Sequence, residues 1–258
     1  MAEILSDDIQ DIAVTSGEIV LENGGETYRA EDTVVHIATA LGAKGASAFI
    51  TPTVVIFSCM DEEGAHHTVM RRITKRGTNM LKLAQMNELS HRLVHRGKTS
   101  NPAQVRTLLR RIIDAKEYSS AFLVLMGALS SAFFTFMIDG NIFDGAASFI
   151  IGALTRVFLI FYANVLDGKN SFLVSLVSGA LISVSSDLFG FLPLGITPSL
   201  VLGGAIMQVV PGLAFVNGIR DVISGDLVSG GARLLEALMI ATALSIGSCF
   251  GVFLAGQL

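Results

Sequence analysis

The spacing of apolar and polar positions changes character near residue 118. Before it, apolar residues recur at helical or alternating intervals and almost every stretch carries charge. After it, the few charges fall between long apolar runs. In residues 6–22, Ile9, Ile12, Ala13, Ser16, Ile19 and Val20 share one helical face, and the run ends at Asn23-Gly24-Gly25. That spacing predicts a first helix. A second is expected from Thr27 or Tyr28 to Leu41, stopped by Gly42. Residues 47–59 and 66–74 read as two strands joined by the turn Asp61-Glu62-Glu63-Gly64. Residues 79–96 and 102–116 read as helices, with Pro102 at a first-turn position. Within the first strand, Thr51-Pro52-Thr53 predicts an edge or a bulge near a ligand or the membrane domain, because proline gives no donor to a central ladder.

Beyond residue 118, apolar segments at about 119–138, 145–166, 170–188, 197–217 and 235–256 each approach the ~20 residues that cross the hydrocarbon of a bilayer. A helix apolar all round belongs in lipid rather than on a water-soluble core. The predicted fold is an α-helical membrane protein: about five transmembrane helices (residues 117–258) preceded by a cytoplasmic α+β domain (residues 1–116). Orientation follows from the cations flanking the spans. Arg106, Arg110, Arg111, Lys116, Lys169, Arg220 and Arg233 fall on one side, and the loops at 139–144, about 189–196 and 257–258 carry none. The N-terminus is therefore expected inside and the C-terminus outside.

Charge sharpens this picture. Residues 1–63 hold twelve acids against Arg29 and Lys44, and residues 71–116 hold twelve cations against Glu88 and Asp114. A nucleic-acid surface would not carry so large an acidic counterpart, so no nucleic acid is expected, and the basic stretch should face the cytoplasm and the anionic leaflet. The acidic N-terminus is not a signal peptide. Cys59 and Cys249 form no disulfide framework. His66-His67 beside three acids, and His91 with His95, lack the pattern of a metal site, so neither metal nor cofactor is expected. No P-loop, nucleophile elbow or dinucleotide fingerprint occurs, which disfavours an anchored hydrolase; a metabolite-sensing receptor is the other rival.

Several groups are misplaced in lipid. Arg156 lies near the centre of the second span, where insertion costs about 2.5–3.5 kcal/mol. Asp187, Asp139 and Asp144 are candidate partners, and reception of a substrate carboxylate is the functional alternative. Pro211-Gly212 should break the fourth span, and Gln208 would offer an amide to the same cavity. Asn217, Arg220, Asp221, Asp226, Arg233 and Glu236 follow densely, suggesting a fixed network, with Glu236 one turn inside the fifth span and able to serve proton coupling or ion pairing. Gly247, Gly251 and Ala255 recur every four residues, Gly203-Gly204 lie in the fourth span, and six serines line the third. These suit close helix packing, or, for the serines, a polar path.

Two separated segments resemble one family. GGETYRAED (24–32) with AFITPTVVIFS (48–58), and MQVVPGLAFVNGIRDVISGDLVSGGARLLEA (207–237), are similar to signatures of the threonine/serine exporter family. The resemblance implies a proton-driven carrier of threonine and serine. It marks Glu26, Thr27, Arg29 and Glu31, together with Pro211, Gly212, Asn217, Arg220, Asp221, Gly225, Asp226 and Gly230, as motif residues; Thr51 and Pro52 lie in the companion segment. Full-length members fuse two membrane modules, so this chain looks like half of a split exporter whose second small membrane protein supplies the other. Split members are also associated with dicarboxylates such as succinate. Expected partners are lipid, a small polar substrate, that second protein and further copies of the subunit. The expected mechanism is alternating access about the Pro211-Gly212 break, with the N-terminal domain over the inner mouth.

Overall fold

The computed structural model describes residues 2–61, 64–75, 77–96, 101–116, 118–165 and 170–257. Glu62, Glu63, Lys169 and Leu258 lie outside the described residues. The chain forms two compact units: Met1–Lys116 with Leu213–Leu235, and Glu117–Gly212 with Glu236–Leu258.

In the first unit, helices α1 (Ala2–Glu22) and α2 (Thr27–Ala40) precede strands β1 (Lys44–Thr51), β2 (Val54–Met60) and β3 (His66–Arg72). Helices α3 (Met80–Arg96) and α4 (Pro102–Ile113) follow, and α9 (Gly212–Ile223) joins from later in the chain. The strands form an antiparallel sheet in the order β1-β2-β3. Alternation on β2 turns Val55, Phe57 and Cys59 inward, where they meet Ile12 and Ala13 of α1, Val34 and Ile37 of α2, Met86 of α3 and Leu109 of α4 in one apolar core. Gly17 lets α1 approach closely, since a Cβ there would lie 2.8 Å from Val34 and 3.2 Å from Val55.

The strand expected at 47–59 is two strands. Thr51 pairs with Val54, and Pro52-Thr53 form the two-residue turn between them, rather than an edge or bulge. Proline has no N–H for the ladder, and its fixed φ suits the second position of a turn. The opposed charge blocks meet in part: Arg71 bonds Asp11 at 2.8 Å and Glu18 at 2.9 Å, and Arg106 bonds Asp8 at 2.8 Å. These cations are engaged by α1 rather than left for a lipid surface.

The second unit contains α5 (Ser120–Met137), α6 (Ile142–Val165), α7 (Ser171–Gly190), α8 (Pro198–Ile206) and most of α10 (Leu227–Ala255). Among the described residues four helices, α5, α6, α7 and α10, are long and apolar enough to cross a membrane. The fourth expected span, 197–217, is not one helix. Nine-residue α8 rises only about 14 Å, half the hydrocarbon thickness. Turns at 207–210 follow, and a new helix begins at Gly212, as a proline with no donor at 211 requires. The last helix begins at Leu227 rather than near 235, because Asp226 Oδ1 accepts from the Ser229 amide at 3.1 Å and caps its first turn. Glu236 thus lies well inside a long helix rather than one turn from its start.

Small residues govern the packing. A Cβ on Gly247 would run into the Leu176 carbonyl oxygen of α7 and lie 2.8 Å from its carbon, and one on Gly251 would lie 2.8 Å from the Ala180 carbonyl oxygen. Gly204 of α8 similarly abuts Thr135 of α5. Since backbone cannot yield as a flexible side chain does, Gly247→Leu should cost at least about 1–3 kcal/mol and collapse the monodisperse peak in detergent size-exclusion chromatography. A wild-type profile would show that α7 and α10 need not touch there.

Candidate functional site

The turn before α2 and the helix α9 bring both sequence motifs together within the first unit. Glu26, 6% exposed, occupies the N-cap position of α2; its Oε1 accepts from Arg220 Nη1 at 2.7 Å, and Oε2 lies 3.6 Å from Arg29 Nε. Asp221 is fully buried. Its Oδ1 accepts from the Thr27 amide at 3.0 Å, its Oδ2 accepts from the Thr27 hydroxyl at 2.9 Å, and Arg233 Nε lies 3.2 Å from Oδ2. A carboxylate from α9 therefore caps α2, where the helix dipole and an arginine both favour negative charge. Arg233 Nη2 also donates to the Gly25 carbonyl at 2.8 Å, and Asn217 Nδ2 donates to the Gly24 carbonyl at 2.9 Å. These contacts make a clamp, the fixed network that the charge density suggests.

Glu31 extends it. Its Oε1 accepts from the Ile50 amide at 2.9 Å, while the Ser229 hydroxyl donates to the Ile50 carbonyl at 3.4 Å. Thr51, the last residue of β1, and Pro52 after it therefore follow a residue held from two sides. Asp226 uses Oδ1 as the helix cap, and its buried Oδ2 has no hydrogen bond among the described residues.

Burial raises the Glu26 carboxyl, but its own backbone amide, the Arg220 hydrogen bond and the charges of Arg29 and Arg220 outweigh that and hold it below the usual range. Glu31 moves the other way: burial raises it, the Ile50 amide only partly offsets this, and Asp226, Asp32 and Asp221 add to the rise. A carboxyl raised on folding contributes stability below its unfolded pKa and loses it as pH climbs through the folded value. Glu31→Gln keeps the acceptor for Ile50 and removes the charge. Its melting temperature should therefore exceed wild type at pH 7–8, and the difference should shrink to nothing near pH 4. A variant less stable at pH 8 would contradict this.

The second unit holds a different cluster. Gly152 and Arg156 sit one turn apart on α6, facing Gly127 and Ser131 of α5. Gln208, in the turn after α8, donates Nε2 to the Gly152 carbonyl at 3.1 Å and to the Ser131 hydroxyl at 3.3 Å. Gln208 Oε1 and Arg156 Nε are both buried, and neither has a hydrogen-bond partner among the described residues. None of the expected acids neutralises Arg156. Asp144 is committed elsewhere: it accepts from the Thr197 amide at 2.6 Å and the Asn141 amide at 2.9 Å, near the far end of α6. Asp139 sits in the turn after α5 with φ 65°. Asp187 lines an open cleft of about 320 Å³ with Gly190, Phe191, Pro198, Val252, Ala255 and Gly256. Pro211 and Gly212 provide the break that releases Gln208 from regular helix.

Residues 11–255 match the family described as "Putative threonine/serine exporter". The chain belongs to the threonine/serine exporter family. Among its relatives, the "Probable succinate transporter subunit YjjP" of Escherichia coli (strain K12) is 22% identical over 251 residues, covering 95% of this chain and 92% of that protein. The "Threonine/serine exporter" of Corynebacterium glutamicum is 24% identical over 261 residues, covering 95% of this chain and 50% of that one. The "Probable threonine/serine exporter" of Mycobacterium tuberculosis is 22% identical over 248 residues, covering 93% of this chain and 45% of that one. No solved structure gives a significant match.

Sequence reasoning missed several positions in this exporter-family chain. Ser131, Gly127 and Gly152 assemble around Gln208, yet small residues in an apolar run carry no mark of such a role. The staple built on Asp144 was more accessible: Asn141 Oδ1 accepts from the amides of Phe143 and Asp144, an asparagine with a carboxylate three residues on, which is a helix-start pattern. Among the described residues no group of three or more His, Cys, Asp or Glu could hold a metal. His67 Nε2 instead meets Asp61 at 2.8 Å.

Proposed function

We propose that this chain is one subunit of a secondary transporter that exports threonine and serine and is not itself an enzyme. The family match over residues 11–255 carries the reading. It is supported by four membrane-length helices and by a broken helix whose end lies beside an arginine whose buried Nε has no hydrogen-bond partner among the described residues. Residues 1–116 form a cytoplasmic domain, with residues 213–235 in the same compact unit, the spanning helices of residues 117–258 form the membrane domain of the inner membrane, and the cation bias of the flanks sets the N-terminus inside. A second small membrane protein supplies the module that makes up the remaining half of the single-chain relatives.

In this reading Arg156 receives the substrate carboxylate, as a cation at membrane depth is suited to do. Gln208 and the backbone freed at Pro211-Gly212 line the path. Asp187 and Glu236 are further acids on the spanning helices, for the substrate path or ion coupling. Glu26, Thr27, Arg29, Asn217, Arg220 and Asp221 act by holding α9 to the start of α2, and Glu31 and Asp226 secure the adjoining strand end and helix start. Dicarboxylate export is the second reading, favoured by the near full-length match to the succinate transporter subunit. Counterflow in vesicles containing the chain and its membrane partner separates the two. Labelled serine or threonine should accumulate against its unlabelled counterpart, and succinate should not. Succinate counterflow without serine counterflow would reverse the assignment, and neither would end the exporter reading.

A further inference from the structure

We infer that Gln208 is the residue by which this exporter tells an α-amino acid from a carboxylate that lacks an ammonium group. The inference rests on the reading of Arg156 as the carboxylate receiver. The amide's orientation is set by its surroundings. The Gly152 carbonyl 3.1 Å away can only accept, so the Gln208 nitrogen must face it, and the Ser131 hydroxyl at 3.3 Å accepts its other hydrogen. The carbonyl end is thereby turned toward Gly127, 3.0 Å from where a Cβ would stand. The same point is 3.2 Å from Cβ and 3.3 Å from Cγ of Arg156. Oε1 of Gln208 and the Arg156 stem are therefore neighbours over a residue with no side chain.

The two groups differ in what they lack. Among the described residues Arg156 Nε is a buried donor without an acceptor, and Gln208 Oε1 is a buried acceptor without a donor. An α-amino acid carries the complementary pair one carbon apart: a carboxylate for the guanidinium and an ammonium for the amide oxygen. An ionised dicarboxylate has no donor, and its second carboxylate would set acceptor against acceptor. A monocarboxylate would leave the amide oxygen desolvated and unpaired. Such mismatches discriminate more strongly than a lost apolar contact does. Gly127 is what lets the two groups come this close, since any side chain there would press on both.

The test is competition for labelled L-serine on the purified full-length chain in detergent, using unlabelled serine, succinate and 3-hydroxypropanoate, which is serine without its ammonium. The wild type should favour serine over 3-hydroxypropanoate by about tenfold or more. Gln208→Met keeps the length and removes the acceptor, so the ratio should fall to about one through weaker serine binding. Ser131→Ala, which removes only one of the amide's two anchors, should give an intermediate ratio and guards against misfolding of the first variant. Arg156→Gln should weaken both ligands alike. An unchanged ratio in Gln208→Met and Ser131→Ala, or no preference in the wild type, overturns the role of Gln208 and leaves that of Arg156 standing. Undiminished binding of both ligands by Arg156→Gln overturns the carboxylate reading, and a wild type that binds no serine overturns both.

Discussion

Arg156→Gln should lower serine counterflow between about tenfold and a hundredfold while leaving the melting temperature in detergent unchanged or slightly raised. Hydrogen bonds to a charged group contribute about 1.5–3 kcal/mol, and each 1.4 kcal/mol is a factor of ten. The stability half of the expectation follows from the surroundings of the side chain. Its Nε has no hydrogen bond, and no ion pair joins it to Asp139, Asp144 or Asp187 among the described residues. An arginine retained for structure would be paired, and removing it would leave a buried acid exposed to the loss. One retained for a ligand has nothing to lose when the ligand is absent. Arg156→Lys should restore part of the flux, since charge returns without the planar fork that engages both carboxylate oxygens. A clear fall in melting temperature for Arg156→Gln, with flux intact, would mark the residue as structural.

Asp221→Ala should do the reverse and destabilise the protein by about 3–5 kcal/mol, the loss expected when one partner of a buried charge pair is removed. Two groups are orphaned at once, the Thr27 amide at 3.0 Å and the Thr27 hydroxyl at 2.9 Å, and Arg233 loses the carboxylate 3.2 Å away while keeping the Gly25 carbonyl. Asp221→Asn should be milder because an acceptor remains for the helix start. Adding Arg233→Met to Asp221→Ala should recover part of the loss by withdrawing the buried cation that Asp221 faced. Thermal unfolding in detergent reads all three, and a melting temperature unmoved by Asp221→Ala would mean that the clamp contributes nothing to the fold.

The contrast between these residues shows what one-dimensional reading can reach. The density of Asn217, Arg220, Asp221 and Arg233 after a proline break was legible as a bound network, because so many charges near lipid must satisfy one another. The break at Pro211 was legible for the same local reason: a missing donor is written in the residue itself. The partners were not. Thr27 and Asp221 stand 194 positions apart, and no periodicity links a helix cap to a carboxylate that far along the chain. Pro52 was misread because its effect was treated as a defect in one strand, whereas the apolar residues on both sides, Ile50 and Val55, pair across a turn. The start of α10 was placed eight residues late because Gly230 and Gly231 resemble a loop. The cap from Asp226, which makes those glycines helical, is visible only once Ser229 is seen beside it.

The half-helix α8 is fastened unevenly. At its beginning the Asp144 carboxylate holds the Thr197 amide at 2.6 Å, and a turn further the Ser148 hydroxyl holds the Val201 carbonyl at 3.1 Å. At its end Gly204 and Ala205 are packed but make no such side-chain hydrogen bond among the described residues, and the side-chain amide of Gln208 supplies the link to the neighbouring helices. Breaking the Gln208 bonds would leave α8 still tied at Thr197 and Val201, so the two ends of the half-helix need not yield together.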